Sequence, residues 1–95
     1  MSIWSRIVGR KSGQPLDLVL YTRTRCTLCD LMKAEIERAR LSGPWQLKIV
    51  DIETDPALEE KYGRSIPVLE IGGRAAFKGR LTAEELERKV ARALR

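Results

Sequence analysis

The fold of this chain is decided by residues 18–30, which read LVLYTRTRCTLCD. The apolar residues 18–21 predict a buried strand, the polar and cationic residues 22–25 predict a turn, and Cys26 and Cys29 stand at the start of a helical pattern. A helix start presents unpaired N–H groups and the positive end of the helix dipole, which favour an anionic sulfur. We therefore expect Cys26 to have a lowered thiol pKa and to act as a nucleophile in disulfide exchange.

Positive charge and a second thiol stand close to Cys26 in the sequence. Arg23 and Arg25 precede it, and we predict that both stabilise the Cys26 thiolate. Cys29 follows one helical turn later, close enough to attack a mixed disulfide formed on Cys26. The predicted catalytic pair is therefore Cys26 as nucleophile and Cys29 as resolving thiol.

Three other roles for the cysteine pair fit the sequence less well. A structural disulfide would close so short a loop that it removes little entropy from the unfolded chain. A zinc site with four ligands needs further cysteine or histidine, and the chain has 2 cysteines and no histidine, so we predict no metal site within one chain. Two inert, buried thiols are disfavoured because four polar residues precede Cys26 and favour its exposure.

Length and composition predict one domain with an N-terminal extension. The chain has 95 residues, and no apolar run approaches the length of a membrane span. Residues 1–16 are expected to be an extension and linker. The spacing of the apolar residues within 3–8 fits a short helix. We expect this helix to dock on the domain or to be frayed, and not to lie on a membrane surface. Residues 17–95 are the predicted domain. The N-terminus lacks the long apolar stretch of a secretory signal, so we expect a cytoplasmic protein, in which a cysteine pair is more often catalytic or metal-binding than structural.

The charge of the chain limits the class of partner. The net charge is +5, but the basic residues are spread out and do not alternate with aromatic residues as a single-strand binder requires. We therefore expect no nucleic-acid partner and no membrane partner. A small anionic molecule or an acidic protein surface fits the excess of positive charge better.

The remaining patterns predict the order strand–helix–strand–helix–strand–strand–helix. We place strands at residues 17–21, 45–52, 68–71 and 74–77, and helices over 26–41, from Pro56 to Gly63, and from a capping box at residues 82–85 onward. The two strand–helix–strand steps predict parallel pairing, and the pair Gly72-Gly73 predicts a hairpin that adds an antiparallel edge. The first helix should bury one face formed by five apolar residues: Leu28, Leu31, Met32, Ile36 and Ala39.

Three motifs in this order resemble the glutaredoxin branch of the thioredoxin-fold superfamily, and most of all its small bacterial glutaredoxin-like domains. Residues 21–29, YTRTRCTLC, are similar to the glutaredoxin active-site stretch, with Arg23 where glutaredoxins usually have a lysine that contacts glutathione. Residues 65–68, SIPV, resemble the segment whose proline is cis. Residues 77–80, FKGR, stand where glutaredoxins have a Gly-Gly pair beside glutathione.

The resemblance covers residues 17–94 and implies both a fold and an activity. The implied fold is α/β and thioredoxin/glutaredoxin-like, with a four-stranded mixed sheet and three helices. The implied activity is that of a thiol–disulfide oxidoreductase with a redox-active centre, serving electron transport and cell redox homeostasis. Six residues are implied in binding substrate or glutathione: Tyr21, Arg23, Ile66, Pro67, Lys78 and Gly79.

The same resemblance implies the partners and one alternative. We expect a disulfide-containing protein or a small-molecule thiol as substrate, glutathione as a possible co-substrate, no tightly bound cofactor, and a monomer. The alternative is a module that binds or carries glutathione or an iron–sulfur cluster, with Cys26 of two chains as cluster ligands and little exchange activity. A partner module with a vestigial dithiol is a third possibility.

Departures from the glutaredoxin pattern lower the expected affinity for glutathione. The residues between the cysteines are Thr27 and Leu28, where glutaredoxins usually have Pro-Tyr. Lys78 replaces the first glycine of the pair, and the acidic residue that follows the pair has no counterpart before Glu84. We therefore expect disulfide exchange with weaker glutathione binding than in a typical glutaredoxin.

Overall fold

A computed structural model describes residues 15–93, and the predicted order of elements is confirmed. The amphipathic segment predicted at residues 3–8 lies outside the described residues. The elements are β1 (Leu16–Thr22), α1 (Thr27–Arg38), β2 (Trp45–Asp51), a short 3₁₀ turn (Ile52–Thr54), α2 (Pro56–Tyr62), β3 (Val68–Ile71), β4 (Arg74–Lys78) and α3 (Ala83–Ala93).

The four strands form one mixed sheet in the order β2-β1-β3-β4. Strand β1 pairs in parallel with β2, and β3 runs antiparallel to both β1 and β4. The predicted second parallel step is therefore wrong. Helix α2 has 7 residues and rises only about 10 Å, whereas a strand of 7 residues spans about 23 Å. Because α2 is too short to return the chain along β2, β3 starts at the edge where β2 ends.

The core lies between the sheet and helices α1 and α3. Alternate residues of β1, namely Leu16, Leu18 and Leu20, are buried against this layer. Helix α1 contributes Met32 and Ile36, at a spacing that places both on one side. This packing holds the start of α1 at the end of the central strand.

The apolar face predicted for α1 is only partly correct. Leu28 and Leu31 are 38% and 57% exposed, while Cys29 and Met32 are buried. Each exposed leucine stands one position before a buried residue and therefore lies about 100° away around the helix axis. Both leucines are thus left at the surface near the start of α1.

Helix α1 ends at Arg38, three residues earlier than the sequence predicts. Ala39 is already extended, with ψ of 144°, and its N–H closes the helix on the carbonyl groups of Glu35 and Ile36. The next amide, that of Arg40, donates instead to Glu87 of α3 at 2.8 Å. A hydrogen bond to α3 therefore takes the place of the next helical hydrogen bond, and α1 ends there.

The starts of α2 and α3 are capped as the sequence predicts. The Asp55 carboxylate accepts from the Ala57 N–H at 2.9 Å, and Pro56 occupies the first turn. At α3, the Thr82 N–H donates to Glu85 Oε1 at 2.8 Å, and the Glu85 N–H donates to Thr82 Oγ1 at 3.1 Å. This reciprocal pair anchors the loop that joins β4 to α3.

Candidate active site

Three loops meet at one edge of the sheet. In the strand register, Tyr21 near the end of β1 pairs with Val68 at the start of β3, and Val68 pairs with Lys78 at the end of β4. The β1–α1, α2–β3 and β4–α3 loops therefore begin or end at the same edge. The N–H of Gly79 donates to the carbonyl of Pro67 at 2.7 Å, which joins the second and third loops directly.

The first of these loops leads into the two cysteines. Cys26 is the N-cap residue of α1, and its Sγ accepts a hydrogen bond from the Cys29 N–H at 3.1 Å. The two cysteines form a disulfide with a Cα–Cα distance of 5.2 Å. Cys26 is half-buried, whereas Cys29 is only 4% exposed. The sulfur of Cys26 is thus the more accessible one, and an amide of the helix start points at it.

The half-buried side chain of Arg23 contacts α2. Its Nη1 donates to Glu59 Oε2 at 3.0 Å, and its Nη2 donates to Glu59 Oε1 at 2.5 Å and to the Gly63 carbonyl at 3.0 Å. The hydrogen bond to Glu59 raises the pKa of the Arg23 guanidinium above its usual value. The charge that we predicted to act on a thiolate or on glutathione is therefore already balanced by a carboxylate.

Arg25 and Lys78 lie at the same edge without such a partner. Both are exposed, and the side chain of neither makes a hydrogen bond or ion pair with any of residues 15–93. Arg25 directly precedes Cys26 and has a φ of +60°, a left-handed conformation uncommon for residues other than glycine. Gly79 has a φ of +83°, and the space where a side chain would stand beside it is open.

The Ile66–Pro67 peptide bond is cis, as the resemblance implies. Ile66 is half-buried and Pro67 is buried, and Pro67 contacts the third loop through the bond from Gly79. Of the predicted binding residues, the structure brings Ile66, Pro67, Lys78 and Gly79 to the loop edge.

Tyr21 belongs to a buried cluster that the sequence analysis missed. Its hydroxyl donates to Glu70 Oε1 at 3.0 Å, and the Tyr62 hydroxyl donates to Glu70 Oε2 at 2.6 Å. Glu70 is 8% exposed, and the two tyrosine rings lie 5.0 Å apart. Burial, and then the hydrogen bond to Glu70, raise the pKa of both tyrosines. The available signal was a lone acidic residue inside the otherwise apolar strand β3.

Cavities are found near both ends of the sheet and beside α2, where one of about 550 Å³ is lined by residues 59–61 and 63–65. A groove of about 390 Å³ beside the dithiol is lined by residues of α1 and of the β4–α3 loop, including Leu28, Leu31 and Leu81. A cavity of about 640 Å³ lies at the other end of the sheet, next to Asp17 and the hairpin glycines, and no cysteine lines it. No cysteine lines the groove either, but Leu28, which stands between the two cysteines, is one of its lining residues, so the groove is the cavity next to the dithiol.

Neither a metal cluster nor a membrane span is found in the described part of the chain. Among residues 15–93, no group of three or more His, Cys, Asp or Glu side chains is placed to hold a metal ion. Within the same range, no helix is long and apolar enough to cross a bilayer.

The family model described as "Glutaredoxin-like domain (DUF836)" matches residues 17–91. The chain belongs to this family. Residues 17–91 include the whole loop edge with both cysteines, so the glutaredoxin-like domain contains the candidate site. No protein in the comparison with curated proteins matches this domain.

Solved structures agree with the family and the fold. The structural genomics target protein XcR50 from X. campestris is 34% identical to the glutaredoxin-like domain, with a TM-score of 0.67 over 79% of this chain and 96% of that one. The holo form of glutaredoxin C1 from Populus tremula x tremuloides is 20% identical over 97% of this chain and 86% of its own, with a TM-score of 0.56. A mutant thioredoxin from Halobacterium salinarum is 19% identical over 88% of this chain and 79% of its own, with a TM-score of 0.62. At 20% and 19% identity, the similarity to glutaredoxin C1 and to the thioredoxin shows a shared fold and nothing more.

Proposed function

We propose that this glutaredoxin-like domain is a thiol–disulfide oxidoreductase, with Cys26 as nucleophile and Cys29 as resolving thiol. The observation that supports this most is the position of Cys26. It caps α1, its sulfur accepts the Cys29 N–H, and it is more accessible than Cys29. A hydrogen-bond donor and a helix dipole directed at a sulfur favour its thiolate over its thiol.

The reaction proceeds in two exchanges and transfers two electrons. In the reduced protein, the Cys26 thiolate attacks a substrate disulfide, a sulfur–sulfur bond forms to Cys26, and one substrate sulfur leaves as a thiolate. Cys29 loses its proton to solvent and attacks the Cys26 sulfur, which releases the second substrate thiolate. Both substrate thiolates are protonated by water, and the protein is left with the Cys26–Cys29 disulfide present in the structure.

An external thiol restores the dithiol by the reverse exchange. Glutathione is the proposed co-substrate for this step, with weak affinity because Arg23 is held by Glu59 and Lys78 stands where a glycine is usual. The proposed contacts for the incoming thiol are Ile66, Pro67 and Gly79. We propose action as a monomer in the cytoplasm, where reducing systems maintain free dithiols, with no tightly bound cofactor.

A pair of cysteine variants tests this function. Cys29→Ser should accumulate a covalent adduct on Cys26 when mixed with bis(2-hydroxyethyl) disulfide, because the resolving thiol is absent. Cys26→Ser is the matched control and should form adducts at least about tenfold more slowly, since Cys29 is buried. Intact-mass spectrometry follows both reactions.

Three outcomes would overturn the proposal. One is adduct formation mainly on the Cys26→Ser variant. Another is wild-type protein that reduces no small disulfide in the presence of excess thiol. The third is visible absorption of a cluster in protein purified without oxygen, which would support iron–sulfur binding instead.

A further inference from the structure

We propose that the substrate disulfides of this domain lie in acidic polypeptide segments, which are held by a cationic rim around the dithiol. The cationic rim consists of Arg25, Arg64, Lys78 and Arg80. This inference rests on the proposed function and names its substrate class. The charge distribution of the loop edge supports it.

The three loops of the site carry positive charge only. Residues 23–26, 63–67 and 78–82 contain five arginine or lysine residues and no aspartate or glutamate. The pairing of Tyr21 with Val68 and of Val68 with Lys78 places all three segments at one edge of the sheet. Three separate loops therefore carry positive charge at the edge of the sheet where the dithiol lies.

Four of these five cations are available to a ligand. Arg23 is balanced by Glu59, whereas all four residues of the rim are exposed. None of the four side chains forms an ion pair or hydrogen bond within the part of the chain that the structure describes. The rim is thus an unneutralised surface beside the reactive sulfur.

Acidic side chains lie on both sides of this region. On the side of the groove, Glu35 accepts from Arg38 and the Ala83 N–H, and Glu85 accepts from the Thr82 N–H, so both are already engaged.

The other acidic side chains lie towards β2 and α2. Asp51 and Glu53 accept hydrogen bonds from Thr24 at 3.2 and 2.9 Å, and Glu59 is held by Arg23. Strand β2 is at the opposite edge of the sheet from β4, which carries Lys78 into the rim. The edge towards β2 therefore carries acidic side chains, and the edge towards β4 carries the cations of the rim that have no acidic partner within residues 15–93. The cations of the rim attract an incoming acidic segment, and the acidic side chains towards β2 repel it.

The backbone of Arg25 supports a role for its side chain. Its φ of +60° is a conformation that glycine adopts freely and that a side chain makes costly. An arginine at this position adds an exposed cation to the residue directly before Cys26, and its side chain makes no hydrogen bond or ion pair with any of residues 15–93. We infer that this charge acts on what binds there.

An extended acidic segment matches the rim better than one small thiol does. The rim residues come from three loops, so simultaneous contact needs several carboxylates distributed along a ligand. Charges of this kind at the periphery of an interface act mainly on association rate, and salt screens them over about 10 Å at 0.1 M. The discrimination should therefore weaken as ionic strength rises.

The test uses three peptides of equal length, each with one cysteine activated as a 2-pyridyl disulfide. The residues around the cysteine are glutamate, serine or lysine. The Cys26 thiolate forms a bond to the peptide sulfur, pyridine-2-thiolate leaves and is protonated to the thione, and Cys29 then releases the peptide thiol. Release of the thione by fully reduced protein is followed by stopped-flow absorbance. Each rate is divided by that of the same peptide with 2-mercaptoethanol, which removes intrinsic reactivity.

We expect the acidic peptide to react at least about tenfold faster than the basic one at low salt, with the ratio falling towards one at roughly 1 M salt. The double variant Arg64→Glu/Arg80→Glu should lose most of this ratio. Lys48→Glu makes the same type of change at an exposed residue of β2 and should keep the wild-type ratio.

Two results would overturn the inference and leave the oxidoreductase function intact. One is an equal normalised rate for all three peptides. The other is that Arg64→Glu/Arg80→Glu slows the reaction with the 2-pyridyl disulfide of glutathione but not the reaction with the acidic peptide. That result would assign the rim to binding of a small thiol. Failure of the wild-type protein to react with 2-hydroxyethyl 2-pyridyl disulfide, which is neutral, would instead count against the proposed function itself.

Discussion

Arg23 and Glu59 form a two-point ion pair that joins the β1–α1 loop to α2. The two N–O distances are 3.0 and 2.5 Å, and the same guanidinium donates to the Gly63 carbonyl at the end of α2. The planar guanidinium matches the carboxylate in geometry, as is typical of such pairs. The contact fixes the loop that precedes Cys26, and it occupies the side chain that would otherwise be the nearest counterpart of a glutathione-binding lysine.

Glu59→Gln should increase the affinity for glutathione by about fivefold. The substitution removes the negative charge that competes for Arg23, so the guanidinium becomes available to a ligand carboxylate. NMR titration of the oxidised protein with S-methylglutathione, which has no free thiol and cannot reduce the Cys26–Cys29 disulfide, measures the effect. Glu60→Gln is the matched control, because Glu60 is exposed and has no bonded partner in residues 15–93. Equal affinities for the two variants would show that Arg23 does not limit glutathione binding.

Tyr62→Phe should lower the free energy of unfolding by about 1.5–3 kcal/mol. The variant leaves the buried carboxylate of Glu70 without its shorter hydrogen bond, and a bond to a charged group is worth roughly this amount. Urea unfolding of the oxidised protein measures the loss. Tyr21→Phe removes the longer bond from a less buried residue and should cost about 1 kcal/mol. A larger loss for Tyr21→Phe would contradict the order assigned to these two bonds.

The stability of the protein should fall as the pH rises above about 10. Burial, followed by hydrogen bonding to Glu70, raises the pKa of Tyr62 and Tyr21 above the usual value of 10.0. Above that pH the unfolded chain loses tyrosine protons that the folded protein retains, so the folded state binds more protons and loses stability with increasing pH. Urea unfolding at about pH 8 and about pH 11 tests this. The decline should be shallower in Tyr62→Phe, and a stability that is level across this range would refute the effect.

Arg25→Gly should stabilise the oxidised protein by up to about 1 kcal/mol. The left-handed conformation costs a residue with a side chain roughly 1–2 kcal/mol, and glycine avoids this cost. The net stabilisation is smaller because glycine also makes the unfolded chain more flexible. Arg25→Ala removes the same charge but keeps the Cβ atom, so it should show no such gain in urea unfolding. In the reduced proteins, both variants should react more slowly with iodoacetamide near neutral pH because Cys26 loses an adjacent cation. An equal stability for the glycine and alanine variants would exclude backbone strain at this position.

Local patterns determined most of the fold and the position of the cysteine pair that forms the disulfide. The Asp55-Pro56 start, the Thr82–Glu85 capping box and the hairpin at Gly72-Gly73 were predicted because each involves groups within a few residues of one another. The placement of Cys26 at a helix start follows from the same kind of short-range signal. Such features depend on backbone propensities and neighbouring side chains, which the sequence displays directly.

Tertiary structure decided the features that depend on distant residues. The direction of β3 depends on the reach of α2, and the exposure of Leu28 and Leu31 depends on how α1 is turned towards the sheet. Arg23 meets Glu59 across 36 positions, and Tyr21 meets Glu70 across 49. Any arginine can pair with many carboxylates, and a periodic pattern is compatible with several orientations of a helix. Only the packing of the chain selects one partner and one orientation, because those depend on distances in space and not on separation in sequence.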